Sequence, residues 1–256
     1  MKIRIIFIFL FMISAGINVQ ASDLAKEKRW ADQIVDFLID GEAEWLNLGS
    51  HKVLAIYTES ALDEVKGAVI VIHGSGVHPN WQEVVQPLRT QLPEKGWATL
   101  AIQMPVLDND AEYIEYAPLF DEVAPRIDAA IRNLQNKGFK NINIVAHSLG
   151  SAMSAYYLAN HKTTVIKRFV AVGLPGPRAD ERMNTLKSLQ KINIPMLDLY
   201  GEKDLDTVLE SSKQREEAGS QNKSYSQQRV AGADHFFVGK DDELISRVAN
   251  WLNKSN

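Results

Sequence analysis

The sequence predicts an α/β protein: a mostly parallel central sheet with helices on both of its faces. Two observations lead there. Short apolar runs of strand length alternate with stretches of helical periodicity along most of the chain. Several of those runs are hydrophobic almost without interruption, as strands covered on both sides are. No internal repeat, low-complexity tract or linker breaks the alternation, so it reads as one domain.

The elements follow in order. Residues 24–40 carry Trp30, Ile34, Phe37 and Leu38 on one helical stripe, and Lys52–Thr58 reads as a strand. Buried strands are expected at 68–72, 98–104, 142–146, 169–174, 196–200 and 227–230, with helices at 81–94, 119–136, 151–160, 180–189 and 207–218 between them. Gly138 ends one helix just before the strand at 142, as a C-terminal glycine does. A last amphipathic helix carries Leu244, Ile245, Val248, Trp251 and Leu252.

Composition narrows the class further. The 256 residues are 45% hydrophobic and 23% charged, enough for one sizeable core. A net charge of -4 with no Lys/Arg run gives no footprint for nucleic acid or a polybasic membrane contact. The absence of cysteine excludes disulfides, a thiol nucleophile, a cysteine-based zinc site and a lipidated N-terminal cysteine.

The first residues read as a targeting signal. Lys2 and Arg4 precede an apolar run over 5–15, and Val19-Gln20-Ala21 sets short side chains at the -3 and -1 positions of a cleavage site. The run is about a dozen residues, short of the ~20 a membrane-spanning helix needs, so a signal peptide over 1–21 is expected rather than a retained anchor. The mature domain then covers 22–256 and is exported, with no stable membrane span.

Chemistry concentrates at three points. Val145-Ala146-His147-Ser148-Leu149-Gly150 lies where a buried strand gives way to a helix. A serine on such a tight turn has its hydroxyl pushed out above the carboxyl edge of the sheet, and the small Ala146 and Gly150 let strand and helix approach closely. Ala146 stands where the usual pattern has glycine. The competing reading of Ser148 is a helix N-cap. Asp204 follows the strand at 196–200, and His235 follows the strand near Val230. The order Ser, Asp, His, each just past a strand, places all three at one sheet edge, where loops converge on a crevice. Asp198 and Asp206 compete with Asp204 as the acid. Asp204 ranks first because it lies in the loop, whereas Asp206 opens the next helix and Asp198 is expected to turn away within its strand or to cap a polar contact.

Ile72-His73-Gly74-Ser75-Gly76 ends the strand at 68–72, where backbone amides, with that of Leu149 as partner, are placed to face an oxyanion. A dinucleotide loop fails there, since Pro79 occupies the third glycine position and the helix begins too late. His147 is read as a packing residue and His73 as loop scaffold, while His51, His78 and His161 have no evident partners. No His/Asp/Glu cluster has metal-ligand spacing.

With these motifs in view, the chain from about Val53 to the last helix resembles the α/β-hydrolase superfamily. Within it, His73–Trp81 and Gly96–Leu100 resemble a branch of exported bacterial α/β-hydrolase-like proteins. The resemblance implies a Ser148, Asp204, His235 triad and a Ser75/Leu149 oxyanion hole. Chemistry of that kind needs no cofactor, and the signal over 1–21 points to the periplasm, with secretion as the alternative. Only 175–195 separates two late strands, so no large cap domain is expected. Residues 106–120, with Leu107, Tyr113, Ile114, Tyr116, Leu119 and Phe120, are the candidate pocket wall, or simply a packed loop. An open site with some apolar lining suits a small-molecule carboxylic ester or thioester. The alternatives are an amide or lactone hydrolase, or a non-catalytic binding protein on the same scaffold.

Overall fold

The computed structural model describes residues 22–254. The expected signal peptide over 1–21 lies outside the described residues. Helix α1 (Leu24–Asp36) leads into an antiparallel pair, β1 (Glu42–Asn47) and β2 (Lys52–Thr58). Then come β3 (Gly67–Ile72), α2 (Val85–Gln91), β4 (Trp97–Ile102), α3 (Val123–Asn136), β5 (Ile142–His147) and α4 (Leu149–Asn160). The chain ends with β6 (Ile166–Val172), α5 (Thr185–Leu189), β7 (Met196–Lys203), α6 (Asp206–Leu209), α7 (Ser212–Gly219), β8 (Tyr225–Asp234) and α8 (Asp241–Leu252). Among the described residues eight strands lie in the order β1-β2-β4-β3-β5-β6-β7-β8, parallel from β4 across to β8, with β2 antiparallel to both β1 and β4.

The period-two alternation of each strand sorts the core into two layers. Ala68, Ile70 and Ile72 of β3 join Ile144 of β5 and Phe169 of β6 against α3, α4 and α5. Val69, Val71, Val145 and Val170 join the opposite layer, against α1, α2 and α8. Helix α4 is buried along most of its length, and its Gly150, Ser151, Ala152, Ser154 and Ala155 are small enough for it to lie directly on the sheet. Its serines are satisfied internally, Ser151 Oγ donating to the Ser148 carbonyl and Ser154 Oγ to that of Gly150.

The sequence winds outward from β3 in both directions, to β4 on one side and β5 on the other. The loops leaving the carboxyl ends of β3 and β5 therefore part from each other, and a crevice opens above them. Between β6 and β7 stand only a 3₁₀ turn (Glu181–Met183) and the five-residue α5, so there is no large cap domain. Among the described residues no helix is long and apolar enough to cross a membrane.

Several elements differ from the sequence reading. The helix expected at 24–40 stops at Asp36, leaving Phe37 82% exposed rather than on the buried stripe. The helix at 81–94 is shortened at both ends. It starts at Val85, and Pro93, which lacks an N–H to donate, converts the tail to a 3₁₀ turn. The helix at 119–136 starts at Val123, because Pro118 sits in a 3₁₀ segment, Tyr113–Glu122. The helix at 207–218 is two helices, α6 and α7. Strand β1 has no counterpart in the sequence reading.

Candidate active site

Ser148 is the single residue between β5 and α4, with φ 53° and ψ -123°. A serine has no intrinsic reason to adopt that conformation, which costs on the order of 1–3 kcal/mol. The closeness of strand and helix imposes it. A Cβ on Gly150 would fall 2.2 Å from the His73 carbonyl oxygen, and one on Gly74 would meet the Ser148 Cβ at 3.1 Å. Ala146 is tolerated in the other small position because its methyl packs within the core layer under α4. Ser148 is thus a strained turn residue, and its side chain caps no helix amide.

Asp204 follows β7 and His235 follows β8, so both arrive at the same carboxyl edge. His235 Nδ1–H donates to Asp204 Oδ1 at 2.5 Å, and Ser148 Oγ–H donates to His235 Nε2 at 3.0 Å. An ionised carboxylate only accepts, which puts the imidazole proton on Nδ1 and leaves Nε2 as an acceptor facing the serine hydroxyl. Burial would raise the Asp204 carboxyl. The hydrogen bond and charge of His235, with the Gly201 and Leu205 amides, outweigh it and hold the group below the usual carboxylate range. Gly173 (φ 61°) makes room for the imidazole, since a Cβ there would come within 2.9 Å of His235 Cε1.

The neighbouring carboxylates make other contacts. Asp198 is fully buried within β7, bound by Arg215 Nε at 2.8 Å, the Tyr225 hydroxyl at 2.9 Å and Gln227 Nε2 at 3.0 Å. Asp206 opens α6. Asp234 accepts the Phe236 and Val238 amides and so forms the turn beyond the imidazole.

The histidines beside the site are structural. His147 is buried with its ring centroid 4.8 Å from that of His235, and its Nε2–H donates to the His235 carbonyl at 3.0 Å. Burial, with the nearby His235, pushes its pKa down to about 3. His73 donates from Nδ1 to the Gly74 carbonyl at 2.8 Å and accepts the Met104 amide on Nε2 at 2.9 Å. Burial lowers it too to about 3, so a neutral ring of fixed tautomer braces the 73–76 loop. His78, for which the sequence suggested no partner, stands between Trp30 and Trp81 with edge-on contacts. His161 stacks on Tyr157.

Gly74, Ser75 and Ser148 open onto a cavity of about 350 Å³, walled by Val77, Trp81, Tyr113, Pro175, Leu205, Val208 and Phe236. Among the described residues no protein acceptor takes the Ser75 amide or the Leu149 amide. Of the candidate wall at 106–120, only Tyr113 reaches this cavity. Leu107, Tyr116, Leu119 and Phe120 pack in the core, and Ile114 is exposed. Arg178 and Thr207 also line it and were not singled out in the sequence, because a loop arginine and a helix threonine carry no motif.

Solved structures with the same architecture include Est1E from Butyrivibrio proteoclasticus (15% identity, TM-score 0.64, covering 83% of this chain and 98% of that one). An alpha-beta serine hydrolase homologue from Coxiella burnetii is 19% identical with TM-score 0.66, over 84% and 98%. The Pyrococcus furiosus esterase Pf2001 is 16% identical with TM-score 0.66, over 86% and 94%. At these identities the likeness is one of fold, and the fold is that of the α/β hydrolases. No curated protein matches the sequence. A family model described as "Protein of unknown function (DUF3530)" matches residues 20–120 and 115–254, and the chain belongs to that family.

Proposed function

We propose that the protein is a serine hydrolase that cleaves carboxylic esters or thioesters through an acyl-enzyme. The observation that carries this reading is the Ser148–His235–Asp204 hydrogen-bonded chain opening onto a cavity with apolar walls. A serine hydroxyl is a poor nucleophile at neutral pH, so the proton must leave as the oxygen attacks. Ser148 Oγ adds to the carbonyl carbon while His235 Nε2 takes its proton. Asp204 keeps the imidazole in the right tautomer and stabilises the imidazolium. The Ser75 and Leu149 amides hold the oxyanion, each contributing on the order of 3 kcal/mol. The imidazolium then protonates the leaving oxygen or sulfur. Water, deprotonated by His235, attacks the acyl-enzyme and restores Ser148. The proposal includes export by the 1–21 signal, with the periplasm as the working compartment.

The test is labelling of the purified protein with a fluorophosphonate beside Ser148→Ala. Labelling in the parent, lost in the variant together with p-nitrophenyl ester hydrolysis, is the expected result. Turnover by Ser148→Ala should fall on the order of 10⁴-fold or more with its thermal midpoint nearly unchanged. A well-folded parent that takes no label would replace the hydrolase reading with that of a binding protein.

A further inference from the structure

Among the described residues, the cavity beside Ser148 is lined by a single permanently charged side chain, and it is positive. Arg178 lies in the loop between β6 and α5 and lines the same space as Ser148 and His235. Among the described residues no aspartate or glutamate lines that space, and no carboxylate lies within ion-pair distance of Arg178. The contrast with its neighbour is direct: Arg182, four residues on, is paired with both Asp180 and Asp121.

Arg178 is nonetheless held in place. Its Nη1 donates to Thr207 Oγ1 at 3.0 Å, its guanidinium carbon stands 5.2 Å from the centroid of the Tyr113 ring, and its amide donates to the Met183 carbonyl at 3.2 Å. The two side-chain contacts come from neutral groups, so they orient the charge without neutralising it. Only Nη1 is occupied, and the Nε and Nη2 donors take no protein acceptor among the described residues. That leaves one edge of a planar fork, spaced for two parallel hydrogen bonds to a carboxylate.

We propose that Arg178 recognises a carboxylate on the substrate, so that the ester cleaved at Ser148 bears a free carboxylate elsewhere in the molecule. A single guanidinium among walls such as Trp81, Leu205, Val208 and Phe236 matches one negative charge on an otherwise apolar body. Low polarity around the pair strengthens it relative to water. Preorientation by Thr207 and Tyr113 lowers the ordering cost of binding. The inference rests on Ser148 being the nucleophile, but Arg178 can be tested apart from turnover.

The experiment compares two matched pairs of esters. In the first the charge is on the acyl side: 4-nitrophenyl hydrogen glutarate against its methyl-capped diester. In the second it is on the leaving group: 4-acetoxybenzoate against methyl 4-acetoxybenzoate. The parent should favour the carboxylate member of at least one pair by tenfold or more in kcat/KM. Arg178→Gln should lower that ratio at least tenfold, mainly through KM, and Arg178→Lys should restore part of it. A merely bracing role for Arg178 would slow both members together and leave the ratio alone. A parent ratio near one, or a ratio indifferent to Arg178→Gln, overturns the inference while leaving the hydrolase reading standing. If no ester is turned over and no fluorophosphonate label is taken, the hydrolase reading fails. Calorimetric titration with glutarate and with 4-hydroxybenzoate then decides the inference. Binding by the parent that weakens tenfold or more in Arg178→Gln upholds recognition of a carboxylate, and no binding to the parent overturns it.

Discussion

Asp198 and Asp204 are six positions apart and end in opposite circumstances. Asp198 points from the middle of β7 into a buried pocket where a guanidinium, a phenol and an amide compensate its charge. Asp204 stands past the end of the strand, with one oxygen on the imidazole of His235. Exchanging each for asparagine should separate the roles. Asp204→Asn favours the wrong imidazole tautomer, and kcat should fall about 10⁴-fold. Asp198→Asn leaves Arg215 buried without its counter-charge and should cost roughly 3–5 kcal/mol in denaturant unfolding. The ester kinetics of the folded fraction should change little. Equal kinetic losses in the two variants would mean that Asp204 is not the acid partner.

At the scale of an element, the β5–Ser148–α4 turn depends on glycine at 150 more than on any side chain that it presents. A methyl group at Gly150 would sit 2.2 Å from the His73 carbonyl and 2.7 Å from Ile72 Cγ2, atoms of the strand end and loop beneath it. Gly150→Ala should therefore push α4 away from β3 and move the Ser75 amide. The expected cost is roughly 1–3 kcal/mol of stability, together with a larger proportional loss in kcat than in KM. Normal stability and turnover in this variant would show that the strand–helix contact is more yielding than the geometry implies. The Ala146 position carries no such restriction, which is why the departure from glycine there leaves the turn intact.

For the molecule as a whole, the buried histidines tie stability to pH. His73 and His147 stay neutral in the folded state until about pH 3, whereas an exposed imidazole takes its proton near pH 6.5. Between those limits the unfolded chain binds more protons, so folding stability falls as pH drops from about 6.5 toward 3. Asp204, held below its ordinary range, acts in the same direction at the acid end. Thermal midpoints should begin to fall below about pH 6.5 and continue falling to pH 4. His147→Gln should make that slope shallower. A midpoint flat from pH 7 to 5 would contradict the burial of these rings as neutral groups. A second whole-chain constraint is the buried Arg126, whose guanidinium joins Glu27 of α1 at 2.9 Å to the Gln103 carbonyl beyond β4 at 3.0 Å.

Patterns along the chain were enough for the alternation of strands and helices, a mostly parallel sheet covered on both faces, a connection over 175–195 too short for a large cap, and the chain order Ser148, Asp204, His235. These are local properties: periodicity, small residues at a turn, and the position of a polar residue just after an apolar run. The sequence missed β1 because an edge strand with the pattern Glu42-Ala43-Glu44-Trp45-Leu46-Asn47 buries too little to leave a hydrophobic signature. It ran α1 past Asp36 because Phe37 and Leu38 continue the apolar spacing whether or not a core lies beneath them. The tertiary structure alone decided that Asp198 belongs to Arg215, that Gly173 gives the imidazole its room, and that Tyr113 but not Tyr116 reaches the cavity. It alone set Arg178 beside Ser148 without a carboxylate. Those outcomes depend on which side chains meet across distant elements, and contact at that range is set by packing rather than by any pattern along the chain.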